Sequence, residues 1–412
     1  MRSRRAGGAT PPTTRKRSGR AHAATEGREL YPRFSPEEFA RRHAAARAAM
    51  VQEGADVLVV YGDSSLNRHG QADVLWLSGF LPNRYCYVVV GHADPPVAFV
   101  QTHNHVPNAR EAAVIEARWG GPDSTAAVAQ YVRTLHTGPG ILGYAGPVPV
   151  QAYLTWQRLL PGWAFRDISR AVRRLRLVKS DEEIAWVRRG AALTDRAVQA
   201  LIDGVRPGLR EMELGALVEA AGRAAGGLVH LVYLSSTPQD ASTVCVPRQN
   251  LSDRVVTRGD VVNCEVSISY WGYSGQMHRP IFVQAEPNAL HRRLWDVALE
   301  AYTRCVAVLR PGATVEEVLN AAEVIHEAGF TINDSVLHGF VVGLLPPSVR
   351  TRRTADGPHD PFTFEAGMCV VVQPNVVTPD ERAGVQVGNL FLITATGAEC
   401  LHRLPVQYYV TR

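Results

Sequence analysis

Three polar side chains fall close together between residues 259 and 280: Glu265, Gln276 and His278. Glu265 lies within a run of β-forming residues that should be buried, where an unpaired carboxylate is costly. We therefore expect Glu265 to be paired, with Arg279 or with a histidine, or else to be protonated. A histidine beside a carboxylate is sufficient for general acid/base catalysis near neutral pH, so this stretch is the first candidate for an active site.

Further along the chain, a second histidine, His338, stands inside an otherwise apolar run. Arg248 and Gln373 carry side chains that could bind a polar ligand, because a guanidinium binds carboxylate or phosphate and an amide offers both donors and acceptors. Side chains of these types favour an anionic or neutral polar ligand. Structural explanations exist as well: Arg248 as a solvated loop residue, His278 as a hairpin histidine bound to a backbone carbonyl, and Tyr273 as a packing residue.

The stretch that carries Glu265 and His278 is predicted to be a β-hairpin. Gly259-Asp260 is a turn dipeptide, and the alternation of apolar residues after it marks a strand that is buried on one face. Aromatic residues and a glycine at 270–273 form the turn, and residues 279–283 return as the second strand.

Residues 28–175 are predicted to form a compact α/β domain of their own. Ser35 caps its first helix, proline occupies the first helical position, and Glu38 closes a capping box. Strands then alternate with helices, and the apolar runs at 85–90 and 97–101 should pair as a hairpin. The domain contains no dinucleotide-binding motif, phosphate-binding loop or nucleophile elbow.

A second capping box, Ser180 with Glu183, begins the C-terminal part of the chain, residues 176–412. A helix, an Arg-Pro-Gly turn and a second helix then occur twice, with the turns beginning at Arg206 and Arg310. This repetition predicts two helix pairs that cover one face of a shared, curved antiparallel sheet.

These features resemble the creatinase, prolidase and methionine aminopeptidase family, the pita-bread enzymes of peptidase family M24. The resemblance rests on the hairpin frame of residues 259–280, on the Lys-Ser-x-x-Glu motif that begins at Lys179, and on the duplication. It implies an α/β N-terminal domain followed by an α+β pita-bread domain with a pseudo-twofold duplication. Members of the family usually associate through both domains, so it also implies a homodimer.

In the metal-dependent members of that family, two Asp, one His and two Glu hold a dinuclear metal centre. The corresponding positions here are Glu265, Gln276, His338, Gln373 and Gly388. One carboxylate and one imidazole offer little negative charge to two divalent ions, amide oxygens are weak replacements, and glycine has no side chain. We therefore expect no dinuclear metal and no other cofactor, with a single ion on Glu265 and His338 held weakly, which would make the chain a divergent, metal-free member.

The creatinase branch of the family opens C–N bonds of guanidine groups without metal, using an imidazole base and carboxylates. Its catalytic residues are not matched, because their positions hold Arg248, His278 and Gln373. The pocket has exchanged acidic groups for basic and amide groups, so a guanidinium substrate is disfavoured.

Three interpretations of function follow. The first is a metal-independent enzyme that uses hydrolysis or other acid/base chemistry at a C–N or related bond of a small polar substrate, which could carry a carboxylate. Its catalytic residues would be His338, Glu265 and His278, and its substrate-binding residues Arg248, Gln276, Gln373 and Tyr273. The second is a catalytically inactive, peptidase-like binding protein, which the glycine at 388 favours. The third is a metallopeptidase of the Xaa-Pro aminopeptidase or dipeptidase type, which overall similarity favours.

The chain has 412 residues, of which 20% are charged, with a net charge of +5. The first 20 residues contain seven basic residues, which is more than the net charge of the whole chain. The rest of the chain is therefore close to neutral and has no basic patch of the kind that binds nucleic acid. The basic tail, residues 1–27, is expected to be disordered. No run reaches the ~18 apolar residues of a membrane span, and no secretory signal is expected. Six cysteines without close pairing fit a reducing cytoplasm, and the expected partner is a small-molecule substrate.

Overall fold

The computed structural model describes residues 30–66 and 69–412, and within it residues 33–412 form one compact unit. The predicted basic tail, residues 1–27, lies outside the described residues. In the described part of the chain, no helix has both the length and the apolar character that crossing a bilayer requires.

The N-terminal part of this unit contains a six-stranded sheet with helices packed against it. Its strands are β1 (Val57–Gly62), β2 (Cys86–Val90), β3 (Val97–Val100), β4 (Glu116–Trp119), β5 (Ile141–Ala145) and β6 (Ala164–Asp167). Its helices are α1 (Pro36–Gln52), α2 (Ala72–Ser78), α3 (Val106–Ala112), α4 (Ser124–Leu135), α5 (Val150–Leu159) and α6 (Ser169–Arg174). The strand order is β4-β3-β2-β1-β5-β6, and only the pairs that include β2 are antiparallel. The predicted hairpin of β2 and β3 is confirmed.

The C-terminal part contains a larger sheet and a second set of helices. The helices are α7 (Asp181–Gly204), α8 (Glu211–Ala224), α9 (Ala289–Val308), α10 (Val315–Ala322) and α11 (Val324–Glu327). The strands are β7 (Leu228–Pro238), β8 (Asp260–Tyr270), β9 (Tyr273–Ser274), β10 (Met277–Phe282), β11 (Leu337–Phe340), β12 (Leu344–Val349), β13 (Cys369–Val372), β14 (Asn375–Val377), β15 (Gly384–Gln386), β16 (Gly388–Ile393), β17 (Ala398–Cys400) and β18 (Tyr409–Val410). The main sheet has the order β12-β11-β13-β16-β10-β8-β7, with β9, β17 and β18 on its margins, and β14 pairs with β15 separately.

The predicted repetition of helix, Arg-Pro-Gly turn and helix is confirmed. One such turn joins α7 to α8 and the other joins α9 to α10, and both turn glycines adopt positive φ, +92° at Gly208 and +84° at Gly312. A side chain would be strained at either position, which accounts for glycine there. The second helix of the later copy is broken into α10 and α11, so it is not the single helix that the sequence predicts.

Each helix pair packs on its own half of the main sheet. Leu201 and Leu214, from α7 and α8, share an apolar core with Val262 of β8. Leu294 of α9 lies in a second core with Val370 of β13. Burial of these apolar side chains fixes the helices on the sheet and holds rigid the strands that carry the polar residues.

The two predicted capping boxes have different outcomes. The box of Ser180 and Glu183 is present at the start of α7. Ser35 also caps α1 as predicted, but Glu38 does not close a box, because the Ser35 N–H donates to Glu182 Oε2 at 2.7 Å instead. Glu38 is drawn away by Arg42, whose Nε lies 2.7 Å from its Oε1.

Candidate active site

Strand pairing in the main sheet aligns three of the predicted site positions. The hairpin of β8 and β10 places Glu265 directly opposite His278, and the pairing of β10 with β16 places His278 directly opposite Gly388. The hairpin predicted from residues 259–283 is therefore confirmed, and it brings the carboxylate and the imidazole of the first candidate site together.

Glu265 is paired, which is one of the two predicted states. Its Oε1 accepts a hydrogen bond from Gln276 Nε2, and its Oε2 lies 3.6 Å from His278 Nε2. Burial opposes ionisation of this carboxyl, but His278, His338 and Gln276 together hold the pKa of Glu265 below its ordinary value. Glu265 therefore carries its negative charge at neutral pH.

The predicted alternative partner of Glu265, Arg279, lies elsewhere. Its guanidinium is buried and donates to the Pro405 and Leu404 carbonyls, at 3.1 and 3.0 Å, and to Asn389 Oδ1 at 3.0 Å. Arg279 thus holds the C-terminal segment on the sheet and does not line the cleft. Its Nη1 also donates to the backbone carbonyls of His278 and Gly388, at 2.8 and 3.0 Å.

His338, on β11, belongs to a chain of hydrogen bonds that continues through Gln373 to Asp334. Gln373 Nε2 donates to Asp334 Oδ2 at 3.0 Å, so the amide carbonyl faces His338 and accepts from its Nε2 at 3.0 Å. This orientation of the amide follows from the hydrogen-bond network, because the reverse would place two acceptors together. His338 Nδ1 lies 3.2 Å from the carbonyl of Gly339.

Both ring nitrogens of His338 thus face carbonyl oxygens. We assign the proton of the neutral ring to Nε2, which has the shorter contact. Burial lowers the pKa of His338 below its ordinary value, and this outweighs the hydrogen bond to Gly339 and the negative charges of Asp334 and Glu265. At neutral pH His338 is therefore an uncharged hydrogen-bond donor, with no lone pair directed toward the open cleft.

The predicted catalytic residue His278 is fully buried and is not among the residues that line the adjacent cleft. Glu265, Gln276, Asp334, His338 and Gln373 do line this cleft, which has a volume of about 430 Å³. Its other polar or charged lining residues include His69, Tyr233, Gln249, Asn333, Ser335, Ser348, Arg350 and Gln386. A cleft of this volume suits a small molecule or a short peptide.

His69 and Arg350 are among the lining residues that the sequence analysis did not single out. His69 comes from the N-terminal part of the chain, and its Nδ1 accepts the N–H of Leu344 at 2.9 Å. Arg350 follows β12, and its Nε is buried without a hydrogen-bond partner in the described part of the chain. Neither residue stands in a motif. A contact with the distant residue Leu344 accompanies the placement of His69 at the cleft, and the pairing of β11 with β12 places Arg350 there.

Two predicted substrate-binding residues are not brought to the cleft. Arg248 is 41% exposed, and its Nη1 lies 3.9 Å from Glu211 Oε2, outside the lining. Tyr273 is 1% exposed, and its hydroxyl donates to Glu183 Oε1 at 2.9 Å. The structural explanation therefore accounts for Tyr273, whereas Gln276 and Gln373 do line the cleft.

The five positions that the resemblance matches to metal ligands fit a dinuclear centre poorly. They supply one carboxylate, one imidazole and two amides, and Gln373 already uses its amide on His338 and Asp334. Across residues 30–66 and 69–412, no group of three or more His, Cys, Asp or Glu side chains is arranged to hold a metal ion.

Two family models match the chain. A model described as metallopeptidase family M24 matches residues 185–395, and one described as the creatinase/prolidase N-terminal domain matches residues 42–178. The segment between the two matches contains Ser180 and Glu183, which form the capping box of α7.

Relatives with curated names include dipeptidases and a creatinase. An Xaa-Pro dipeptidase of Pyrococcus furiosus is 28% identical over 246 residues, which cover 58% of this chain and 66% of the relative. The chain thus spans just under two thirds of the length of that dipeptidase. An uncharacterized hydrolase/peptidase, y4tL, of Sinorhizobium fredii is 26% identical over 93% of this chain and 99% of its own. A creatinase of a Bacillus species is 23% identical over 92% of this chain and 94% of its own.

Solved structures share the fold. The prolidase from Pyrococcus horikoshii OT3 superposes with a TM-score of 0.75 at 21% identity, over 89% of this chain and 99% of its own. An Xaa-Pro dipeptidase from Bacillus anthracis gives a TM-score of 0.76 at 22% identity, over 90% of this chain and 99% of its own. The predicted fold, an α/β domain followed by a duplicated α+β domain, is confirmed.

Proposed function

Because the chain belongs to metallopeptidase family M24, we propose that it is a hydrolase that cleaves a C–N bond in a small, carboxylate-bearing substrate without a dinuclear metal centre. Glu265 is assigned the proton transfers and His338 a hydrogen bond to the substrate. Membership of a peptidase family supports hydrolysis, and the pita-bread fold supports a site on the main sheet.

The state of Arg350 is the observation that supports the proposed class of substrate. Three fully charged side chains line the cleft, and two of them are already engaged: Glu265 by Gln276, and Asp334 by Gln373. Within the described residues, the guanidinium of Arg350 has neither a hydrogen bond nor an ion pair. A planar guanidinium binds a carboxylate through two parallel hydrogen bonds, so an unpaired arginine in a small cleft favours an anionic substrate. Arg350 thus takes the role that the sequence assigned to Arg248.

The proposed reaction uses the ionised carboxylate of Glu265 as proton acceptor. A water molecule gives a proton to Glu265 as its oxygen bonds to the substrate carbon, and Glu265 returns that proton to the leaving nitrogen as the C–N bond breaks. The Nε2–H of neutral His338 donates to the oxygen that gains negative charge, in exchange for its bond to Gln373. His278 holds Glu265 from the side that faces away from the cleft.

The donor set supports the metal-independent part of the proposal. A dinuclear centre needs several anionic ligands to offset about four positive charges, and only Glu265 among the five positions is anionic. Restoring the missing charge would take carboxylates at positions 276, 373 and 388. We therefore assign the polar side chains of Gln276 and Gln373 to hydrogen bonding.

A second candidate is a metal-dependent Xaa-Pro dipeptidase. The names of the Pyrococcus relatives favour it over an inactive binding protein, and a dipeptide has a free carboxylate that could bind Arg350. Its substrate class therefore overlaps with the first proposal, and the two differ in the need for metal.

Turnover of a substrate panel with and without chelator tests the proposal. The panel contains Xaa-Pro dipeptides, other dipeptides, N-acyl amino acids and guanidino acids, each as the free acid and as the carboxamide. We expect hydrolysis of a free acid that EDTA does not reduce, in protein with less than one equivalent of bound metal by elemental analysis. Two equivalents of Mn, Co or Zn together with loss of turnover in EDTA would favour the dipeptidase. Binding of a panel member without turnover would favour the inactive protein.

A further inference from the structure

The structure leaves no space for a side chain at Gly388. Its φ does not fall among the positive values of the described glycines, so its backbone does not require glycine. A Cβ built on Gly388 would lie 2.4 Å from His278 Nδ1, 3.0 Å from Gln373 Cβ and 3.0 Å from the carbonyl of Val372. A carbon at 2.4 Å from a nitrogen is far inside van der Waals contact, and neither the backbone carbonyl nor a buried ring moves easily.

His278 is the group that fills this space. Its side chain is fully buried, and neither ring nitrogen has a hydrogen-bond partner among the described residues. Glu265 Oε2 lies 3.6 Å from its Nε2. A buried imidazole without hydrogen bonds is costly, so packing of the ring between Glu265 on one side and Gly388 on the other must offset that cost.

The register of the sheet makes this placement rigid. His278 is paired across β8 with Glu265 and across β16 with Gly388, and the strand cannot slip without turning every side chain to the opposite face. A side chain at 388 would project toward Gln373, whose amide contacts His338. The imidazole of His278 thus lies between the carboxylate of Glu265 and the space that a ligand at 388 would need.

We infer that His278 and Gly388 act as one unit that excludes divalent cations from this site: the imidazole occupies the volume in which a side chain at 388 and its ion would lie. The inference rests on the proposed metal independence, and it gives a steric cause for that independence. Loss of acidic ligands alone would leave a weak cation site, whereas the imidazole removes the space for it. A carboxylate introduced at 388 binds metal only after residue 278 has been made small.

The test compares four proteins: wild type, G388E, H278S/G388E and H291S/G388E. The last is the matched control, because His291 is a buried histidine outside the site. Binding of Mn²⁺ and Co²⁺ is measured by calorimetry on metal-free protein. We expect H278S/G388E to bind one ion through Glu265 and the carboxylate introduced at position 388, at least tenfold more tightly than G388E or the H291S/G388E control.

Equal binding by G388E and H278S/G388E, or binding by neither, would overturn the inference. If H278S/G388E does not fold, thermal melting of G388A and H278S/G388A decides it: the midpoint loss caused by the added Cβ should be smaller when Ser replaces His278, and equal losses would overturn it. Tight binding of two ions by the wild type would overturn the proposed function, while the comparison between the variants would still test the role of His278.

Discussion

The buried guanidinium of Arg42, in the first helix, donates a hydrogen bond from Nη2 to the hydroxyl of Tyr273, in the site hairpin, at 3.2 Å. Arg42 Nη2 also lies 3.2 Å from Glu183 Oε1, and its Nη1 donates to the Trp76 carbonyl at 3.0 Å. Tyr273 in turn donates to Glu183 at 2.9 Å. This network joins the N-terminal α/β part to the strand turn that precedes Gln276, so Tyr273 supports the site from outside it.

Replacement of Tyr273 by Phe should lower stability and leave substrate binding unchanged. The hydroxyl makes two buried hydrogen bonds, but Arg42 and Glu183 remain paired with each other when it is removed. We therefore expect a loss of about 1–2 kcal/mol in the free energy of unfolding, measured by urea denaturation. Y153F is the control, since the hydroxyl of Tyr153 lies near the surface. A raised KM with unchanged stability would restore Tyr273 to the substrate site.

Replacement of Arg350 by Met should weaken binding of the free-acid substrate alone. A hydrogen bond to a charged group contributes about 1.5–3 kcal/mol, so we expect KM for the acid to rise by about 10- to 100-fold. The carboxamide of the same substrate should bind equally to wild type and R350M. The control is R173M, because Arg173 is exposed and does not line the cleft. An equal effect on acid and amide would mean that Arg350 shapes the cleft without binding the carboxylate.

The pH profile of kcat/KM should extend unchanged below pH 6.5. Burial lowers the pKa of His338, so the ring stays neutral as pH falls through the range in which a free histidine gains its proton. The pKa of Glu265 is also lowered, which keeps it ionised over the same range.

Replacement of Glu265 by Gln should lower kcat by at least ~100-fold, as expected for removal of a general base, while the pH profile of the wild type tests the state of His338. The control H326Q changes a histidine outside the cleft. An acid limb at or above pH 6.5 would contradict the neutral state of His338.

The fold could be predicted from the sequence because its signals are local. Alternating apolar residues, the turn at 270–273 and the capping box at Ser180 depend on neighbours within a few positions, and the pairings of β2 with β3 and of β8 with β10 followed from them. The break between α10 and α11 was missed, because no proline or glycine marks it.

The site could be predicted only in part, because the folded position of a side chain, and not its type, decides whether it faces the cleft. Arg350 shares a loop with Arg352 and Arg353, which pair with Glu316 and Glu323. Nothing in the sequence distinguishes the three arginines, and the pairing of β12 with β11 decides which of them faces the cleft. Arg248 is the opposite case, because the sequence placed it in the pocket and the structure does not. Its contact with Glu211 could not be predicted, since the two residues are distant in the sequence.

Stability at acid pH should depend on His291, at the start of α9. Its Nδ1 lies 3.0 Å from the capping oxygen of Asn288, which can only accept, so Nδ1 carries the proton. Nε2 is buried without a partner in the described residues, and a second proton there would be unsatisfied. Burial thus lowers the pKa of His291 to about 4. Between pH 6.5 and 4 the unfolded chain binds the extra proton, so the free energy of unfolding falls with pH by up to about 3 kcal/mol from this residue. H291Q should lose less stability than wild type between pH 7 and 4 in urea titrations, whereas H103Q, at an exposed histidine, should follow the wild type. Parallel curves for wild type and H291Q would show that another group sets the acid sensitivity.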